Sequence, residues 1–470
     1  MAQIISGAVE RADVFPEWGI DPVPQDKRAL STLDVGLLWG NLGITLTLPV
    51  VGAFLVPALS LPKALLAIVV GALIGNVMLA AAGRIGAETG APTMVTYRGP
   101  LGIRGSYLPT IFNVMQNVGW GAFELYIISV VMAALFDRYT NHGLRALWVV
   151  VFGVVCILMA VGGPVAVVRR WIRRYAVWAV IASSVYLTIY MLTQYDLGRM
   201  WNAHGTGGFP NFWGGVDLVI SLPISWVPLV ADYTRFARTG RSAFWGTGIG
   251  YFIANVWFFV IGILLALGGS GADPAKPAAF IGALLAIPVG WLAMLILAID
   301  ETDEAFANIY SSSVSVQNVF PRVSQRALSV VIGAGCAALA IVVNLVDYEN
   351  FLLLLGALFV PLFGVLFADY YVLRGGRYAT ERLYGPAARG TRVAALTAWI
   401  VGFGAYNWIN PGTVSWWTSA VDSLVGWLPT PPSWAGASLA SFVVAAALAL
   451  ILIPLGERAT RRNAPQGVEG

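Results

Sequence analysis

Nine polar or aromatic residues fall into two runs whose spacing is that of a helix face. Asn113, Asn117, Trp120 and Glu124 are 4, 3 and 4 residues apart, and Asp300, Glu304, Asn308, Ser311 and Ser315 are 4, 4, 3 and 4 apart. Each run therefore lines one side of an α-helix. Thr302 and Asp303 lie beside the second run. Trp120 offers a flat face on which a planar ring can stack. Glu124, Glu304 and Asn308 offer the acceptors and the amide that read a ring N–H, an exocyclic amine and a carbonyl. A small planar heterocycle uses all of these groups. A sugar needs more hydroxyl partners, and an amino acid needs a counter-charge for its carboxylate.

The elements that carry these runs are membrane helices. Of the 470 residues 58% are hydrophobic and 11% charged, with a mean hydropathy of +0.75; a soluble domain carries about 25% charged residues. Apolar runs long enough to cross a hydrocarbon core of about 30 Å recur from Leu33 to Pro454. This composition excludes a soluble enzyme, a nucleic-acid binder and a disordered chain. The runs and their Gly, Pro and charged punctuation predict an all-α polytopic membrane protein with 12 transmembrane helices. These lie at about 33–58, 63–83, 107–136, 146–168, 175–195, 214–231, 249–268, 288–318, 325–345, 350–372, 393–410 and 436–455. With the N-terminus inside, 23 of the 28 Lys and Arg fall in inner segments. Positive charge is retained on the cytoplasmic side, so both termini are expected there, in a multi-pass protein of the plasma (inner) membrane. A carboxylate at half-depth costs several kcal/mol unless paired, hydrated or protonated, so Glu124 and Glu304 are read as functional. Asn113 and Ser315 are as well explained by hydrogen bonds between helices.

Two spans are interrupted in matching places. The first reads LLWGNLGITLTLPVVGAF, with Gly40, Asn41 and Gly43 near its middle and Pro49 after them. The sixth reads GGVDLVISLPISWVPLVADYTRF, with Pro223 and Pro228 five residues apart. Broken membrane helices need partners for their freed backbone groups. A matched pair at positions one and six points to an inverted-repeat transporter with its site near the midplane. The expected organisation is a cytoplasmic tail over 1–32, a first repeat over 33–195, a second over 214–372, two more helices over 393–455 and a tail over 456–470.

Enzymatic readings fail on residue supply. The two histidines, His142 and His204, fall in predicted outer loops, and no HExxH, Gly-x-Ser-x-Gly or Walker-type phosphate loop is present. Cys156 and Cys336 lie within apolar spans, as small core residues rather than a disulfide or metal site.

The runs QNVGWGAFEL, PISWVPLVADYTRFAR and TDEAFANIYSSSVSVQN, with TMVTYRGPLGIRGSYLP before the first, resemble the nucleobase:cation symporter-1 family of cytosine, purine, hydantoin and allantoin permeases. The resemblance extends over about residues 22 to 455. It implies a leucine-transporter-type core of 5+5 helices in inverted repeat, followed by two C-terminal helices. It also implies uptake of a nucleobase-like compound driven by a cation gradient. By the same resemblance Trp120 stacks on the substrate, and Asn117, Glu124, Ser225 and Asn308 match substrate-contacting positions. The family often has an aromatic residue nine before the aspartate of ADYTRF. Here that residue is Pro223, and Trp226 is the nearest aromatic on the span. Where sodium-coupled relatives have adjacent hydroxyls on the eighth span, this chain has Thr302 followed by Asp303 and Glu304.

The expected mechanism is a symport by alternating access. A cation, Na+ or H+, binds between backbone carbonyls near Trp39, Gly40 and Gly43 and the eighth span at Asp300, Thr302 and Asp303. The base sits between Trp120 and the sixth span, by Ser225 and Trp226, and is read by Asn117, Glu124, Glu304 and Asn308. No cofactor and no nucleic acid are expected; the partners are the small substrate, the cation and lipid, and the protein acts as a monomer. A vitamin-precursor symporter (hydroxymethylpyrimidine- or pyridoxine-like), an amino-acid symporter and an uncoupled facilitator remain alternatives.

Overall fold

In a membrane every backbone N–H and C=O must find a partner within the protein, which a helix supplies along its own length. The computed structural model describes residues 18–140, 144–163, 177–269, 272–274, 276–342, 348–432 and 434–462. His142 and the outer parts of both expected tails lie outside them. Among the described residues there is no strand, only an isolated bridge between Leu30 and Ala237. Eight helices there are long and apolar enough to cross a membrane. The other four expected spans correspond to shorter or interrupted helices.

The first span is two helices, α1 (Thr32–Asn41) and α2 (Thr47–Phe54), separated by Leu42–Leu46. They are followed by α3 (Leu61–Thr89), α4 (Tyr107–Thr140), α5 (Arg145–Gly162) and α6 (Val177–Gln194). The sixth span is likewise broken, into α7 (Phe212–Trp226) and the short α8 (Ala231–Thr234). Next come α9 (Gly240–Gly268), α10 (Gly290–Asp300), α11 (Thr302–Val319), α12 (Gln325–Val342) and α13 (Tyr348–Phe367). The last two are α14 (Val393–Ile409) and α15 (Ala437–Arg462).

Several expected boundaries are corrected. The eighth span is not one helix over 288–318, because the chain turns at Glu301 between α10 and α11. The seventh begins at Gly240, nine residues before the expected start at 249, with Thr239 capping it through a bond from Ser242 N to Thr239 Oγ1 of 3.0 Å. That hydroxyl fills one orphan donor of the first turn, a signal hidden among the polar residues before the apolar run. The last helix extends to Arg462, into the segment read as a solvated tail.

The helices pack in two groups. α1, α2, α3, α7 and α9 lie against one another, as do α4, α5, α11 and α12, while α13, α14 and α15 pack together at one side. Small residues let the first group close up. Gly36 and Gly40 face Gly246 and Gly250, each pair four apart. A Cβ on Gly250 would stand 2.3 Å from Gly36 O, and one on Gly262 would stand 1.9 Å from Pro49 O. This is close backbone approach of the small-xxx-small kind, which favours association where lipid supplies no hydrophobic drive.

Candidate functional site

Both breaks are satisfied by side chains from neighbouring helices. At the sixth-span break, Gln116 Nε2 donates to Ser225 O at 2.9 Å and Asn113 Nδ2 donates to Pro228 O at 3.1 Å. Asn113 Nδ2 also reaches Ser315 Oγ at 2.9 Å. Asn113 and Ser315 thus belong to an interhelix network that serves carbonyls left without ladder partners at the break. The ADYTRF motif is occupied similarly: Asp232 Oδ1 accepts from Thr93 N at 2.8 Å, and the buried Arg235 donates to Tyr310 Oη at 2.9 Å.

At the first-span break the partners are acidic. Asn41 Nδ2 donates to Asp300 Oδ1 at 3.0 Å and to Asp303 Oδ2 at 2.9 Å. Thr45 Oγ1 donates to Glu301 Oε1 at 2.6 Å, and Leu46 N donates to Glu301 Oε2 at 3.1 Å. Glu301 therefore neutralises the start of α2 from the turn between α10 and α11, where a carboxylate is favoured. Carboxylate oxygens of Glu124, Glu301 and Glu304 lie within 4.8 Å of one another, all buried. Three carboxyl groups that close cannot all be charged without a cation or protons among them.

Beside this cluster a closed cavity separates the two helix groups. Thr45, Thr47, Leu48, Leu222, Ser225, Trp226, Leu229 and Tyr251 form one wall, and Trp120, Glu304 and Asn308 form the other. Its volume is about 10 Å3, room for about one water molecule, so the walls must part to admit a heterocycle. Trp226 meets Trp39 edge-on with centroids 5.6 Å apart, and Trp120 meets Phe351 at 5.4 Å. Glu304 Oε1 is buried beside the cavity with no hydrogen-bond partner.

The expected substrate residues thus divide. Trp120, Ser225, Trp226, Glu304 and Asn308 line the cavity. Glu124 is joined to it through Glu304, as one member of the Glu124, Glu301 and Glu304 cluster. Asn117 is fully buried outside the lining, its amide N and O both unpartnered. Pro223 faces α3, where a Cβ on Gly75 would lie 2.3 Å from its Cγ; Trp226, three residues on, is the aromatic that reaches the cavity.

Of the expected cation residues, Asp300 and Asp303 come together on Asn41. Thr302 Oγ1 donates to Ile299 O at 2.7 Å, within its own helix turn. Gly40 lies 3.6 Å, as a built Cβ, from Gly250 O, and Gly43 lies 2.7 Å from Ala254 Cβ in the same sense. Gly43 thus approaches α9 closely, and Gly40 makes an ordinary contact with it. Trp39 is buried among Trp226, Tyr233 and Tyr251.

Sequence reasoning left out Asn41 as a side-chain partner, Thr45, Tyr251 and, most consequentially, Glu301. The available signal was the run Asp300, Glu301, Asp303 and Glu304, four acids in five residues. Glu301 is three residues before Glu304 and seven before Asn308, the spacing of one helix face, so the polar stripe extends to it on sequence alone.

Interrupted membrane helices enclosing an aromatic and acidic cavity at the junction of two helix groups define a solute permease. Residues 22–428 match the family described as permease for cytosine/purines, uracil, thiamine, allantoin, and the chain belongs to that family of membrane transporters. It is 23% identical over 412 residues to the hydantoin permease of Microbacterium maritypicum, covering 83% of each chain. It is 27% identical over 417 residues to the cytosine permease of Escherichia coli K12, covering 84% of this chain and 89% of that one. Its fold matches a nucleobase-cation-symport-1 family transporter in a closed conformation with bromovinylhydantoin bound. There the TM-score is 0.77 at 19% identity, with 97% of this chain and 98% of that chain covered. An inward-facing structure of the same transporter matches with a TM-score of 0.71 at 20% identity, covering 97% and 96%.

Proposed function

We propose that the protein imports a small planar nucleobase or related heterocycle together with a cation, by alternating access between two inverted repeats. The observation that carries this reading is the cavity between the broken first and sixth spans, walled by Trp120 and Trp226 and edged by Ser225, Glu304 and Asn308. Two indoles present ring faces or edges to a flat ligand, and a carboxylate with an amide reads its N–H and C=O groups. Asn117 and Glu124 complete the set when the walls part. The buried amide of Asn117 has no partner for its N or O, a cost that a ligand's own polar groups would relieve.

The coupling cation, Na+ or H+, is held where Asn41 meets Asp300 and Asp303, next to the Glu124–Glu301–Glu304 cluster. Hard oxygen donors suit sodium, and the same carboxylates can carry a proton. Each ligand raises the other's affinity by the same factor, as linkage requires. Both termini face the cytoplasm, in keeping with the distribution of Lys and Arg.

No Lys, Arg or His is among the residues lining the cavity, so an amino-acid carboxylate has no counter-charge there. A pyrimidine vitamin precursor has the flat ring the cavity requires and stays within the heterocycle class. Uptake of radiolabelled cytosine, hypoxanthine, uracil, hydantoin and hydroxymethylpyrimidine into proteoliposomes tests the proposal, with sodium and proton gradients imposed separately. Concentrative uptake of at least one compound, abolished when the driving gradient is collapsed, is expected. Flux of all of them that ignores both gradients would leave a facilitator.

A further inference from the structure

Away from the transport site, Arg28, Arg84, Arg238 and Arg241 converge on an open cavity of about 700 Å3 that also touches Glu88 and Trp245. Its walls come from the segment before α1, the end of α3 and the start of α9. The bridge between Leu30 and Ala237 sets their relative position: Leu30 N donates to Phe236 O, and Arg238 N to Leu30 O, both at 2.9 Å.

Neutral acceptors hold two of these arginines in place. Arg28 donates to Val23 O at 3.0 Å and to Ala87 O at 2.6 Å, and Arg238 donates to Ala29 O at 3.2 Å. Carbonyls orient a guanidinium without cancelling its charge. The single acid lining the cavity among the described residues, Glu88, stands 3.5 Å from Arg84 Nε. Four positive charges therefore face one negative. A second basic cavity, lined by Arg374, Arg382 and Arg392, is different: Arg374 and Arg382 both pair with Asp369 and Glu457.

A separate observation concerns what leads into the first cavity. Trp245, Ile249 and Ile253 are 49%, 51% and 58% exposed. Four residues apart, they form an apolar stripe along α9 that begins in the cavity wall. On α3, Leu73 and Val77 are exposed in the same way, about three and two turns before Arg84. A soluble anion has no use for these stripes. A phospholipid uses both features, with acyl chains along the apolar stripes, the glycerol region at the indole and the phosphate on the arginines.

We propose that this cavity is a binding site for the phosphate-bearing headgroup of an anionic membrane phospholipid. The bound lipid spans the approach to the broken first helix and the segment that follows the broken sixth, since Arg28 precedes α1 and Arg238 follows α8. It thereby ties together the ends of the two elements that flank the transport cavity.

The test uses the purified full chain in a neutral detergent. Thermal unfolding is followed with added phosphatidylglycerol, phosphatidylcholine or inorganic phosphate, for the wild type, Arg241→Gln, Arg84→Gln and Arg322→Gln. Arg241 is exposed and has no hydrogen-bond partner among the described residues, so its replacement leaves the fold intact. Arg322 is exposed elsewhere and controls for general charge. Phosphatidylglycerol is expected to raise Tm by several degrees more than phosphatidylcholine. Arg241→Gln and Arg84→Gln should each cut that difference by half or more, and Arg322→Gln should leave it unchanged. Equal shifts from the two lipids, an equal shift from inorganic phosphate, or an undiminished response in both cavity variants would each overturn the proposal. An equal reduction by Arg322→Gln would overturn it too.

Discussion

Thr45 and Glu301 join the two interrupted regions of the chain, the Thr45 hydroxyl donating to the Glu301 carboxylate at 2.6 Å. The threonine lies in the gap of the first span and the glutamate in the turn of the eighth. Any movement of the first helix group against the second must stretch or break this bond. Replacing Glu301 by Ala leaves Leu46 N as a buried donor without an acceptor, at about 1–3 kcal/mol, and leaves Thr45 Oγ1 with Thr47 Oγ1, at 3.0 Å, as its remaining partner. Concentrative uptake by Glu301→Ala is expected to fall at least about tenfold, the equivalent of about 1.4 kcal/mol. Uptake at the wild-type rate would show that the joint is dispensable.

Asn41 serves two carboxylates, Asp300 and Asp303, with one amide. Asn41→Ala removes the shared donor and leaves two acids facing each other. The half-saturating concentration of the coupling cation is predicted to shift by about tenfold, while unfolding in detergent changes little beyond the loss of about one hydrogen bond each way. Titrating uptake against sodium at fixed pH, and against pH at fixed sodium, identifies which cation responds. An unchanged midpoint in both titrations would separate Asn41 from the coupling site.

Gly250 and Gly40 make a paired test of helix packing. A Cβ at Gly250 meets Gly36 O at 2.3 Å, whereas a Cβ at Gly40 meets Gly250 O at 3.6 Å, an ordinary contact. Gly250→Ala is expected to cost about 1–3 kcal/mol through forced separation of α1 and α9; Gly40→Ala should stay within about 0.5 kcal/mol. Thermal unfolding of the two variants decides, and equal behaviour contradicts the packing argument.

Much of the architecture was legible because hydrophobic runs and prolines report the membrane's demands directly. The breaks at Asn41 and around Pro228 follow from residue types that cannot continue a helix. The cavity wall of Trp120 on α4 and of Glu304 and Asn308 on α11 follows from the helical period of each of the two runs. The turn at Glu301 was not legible: no Gly or Pro marks it, and an acid run reads equally well as a continuous helix. A glycine in a broken helix signals either exposed carbonyls or close approach, and sequence alone does not show that Gly40 and Gly43 also lie against α9.

Asn113 distinguishes structural from substrate-binding polarity. Its amide donates to Pro228 O and Ser315 Oγ, neither of which lines the cavity. Asn113→Ala should lower stability by about 1–3 kcal/mol by leaving buried acceptors unmet, with the apparent affinity for substrate unchanged in the folded fraction. A selective loss of affinity without loss of stability would move Asn113 into the substrate site.

Equilibrium binding of the transported radiolabelled heterocycle to purified wild type, Trp120→Ala and Glu304→Gln bears most directly on the cavity between the broken spans. Both variants should remain folded by thermal unfolding and should bind at least about tenfold more weakly, Trp120→Ala through lost stacking and Glu304→Gln through an amide NH2 replacing a carboxyl oxygen. Wild-type affinity in both would mean that the heterocycle binds elsewhere.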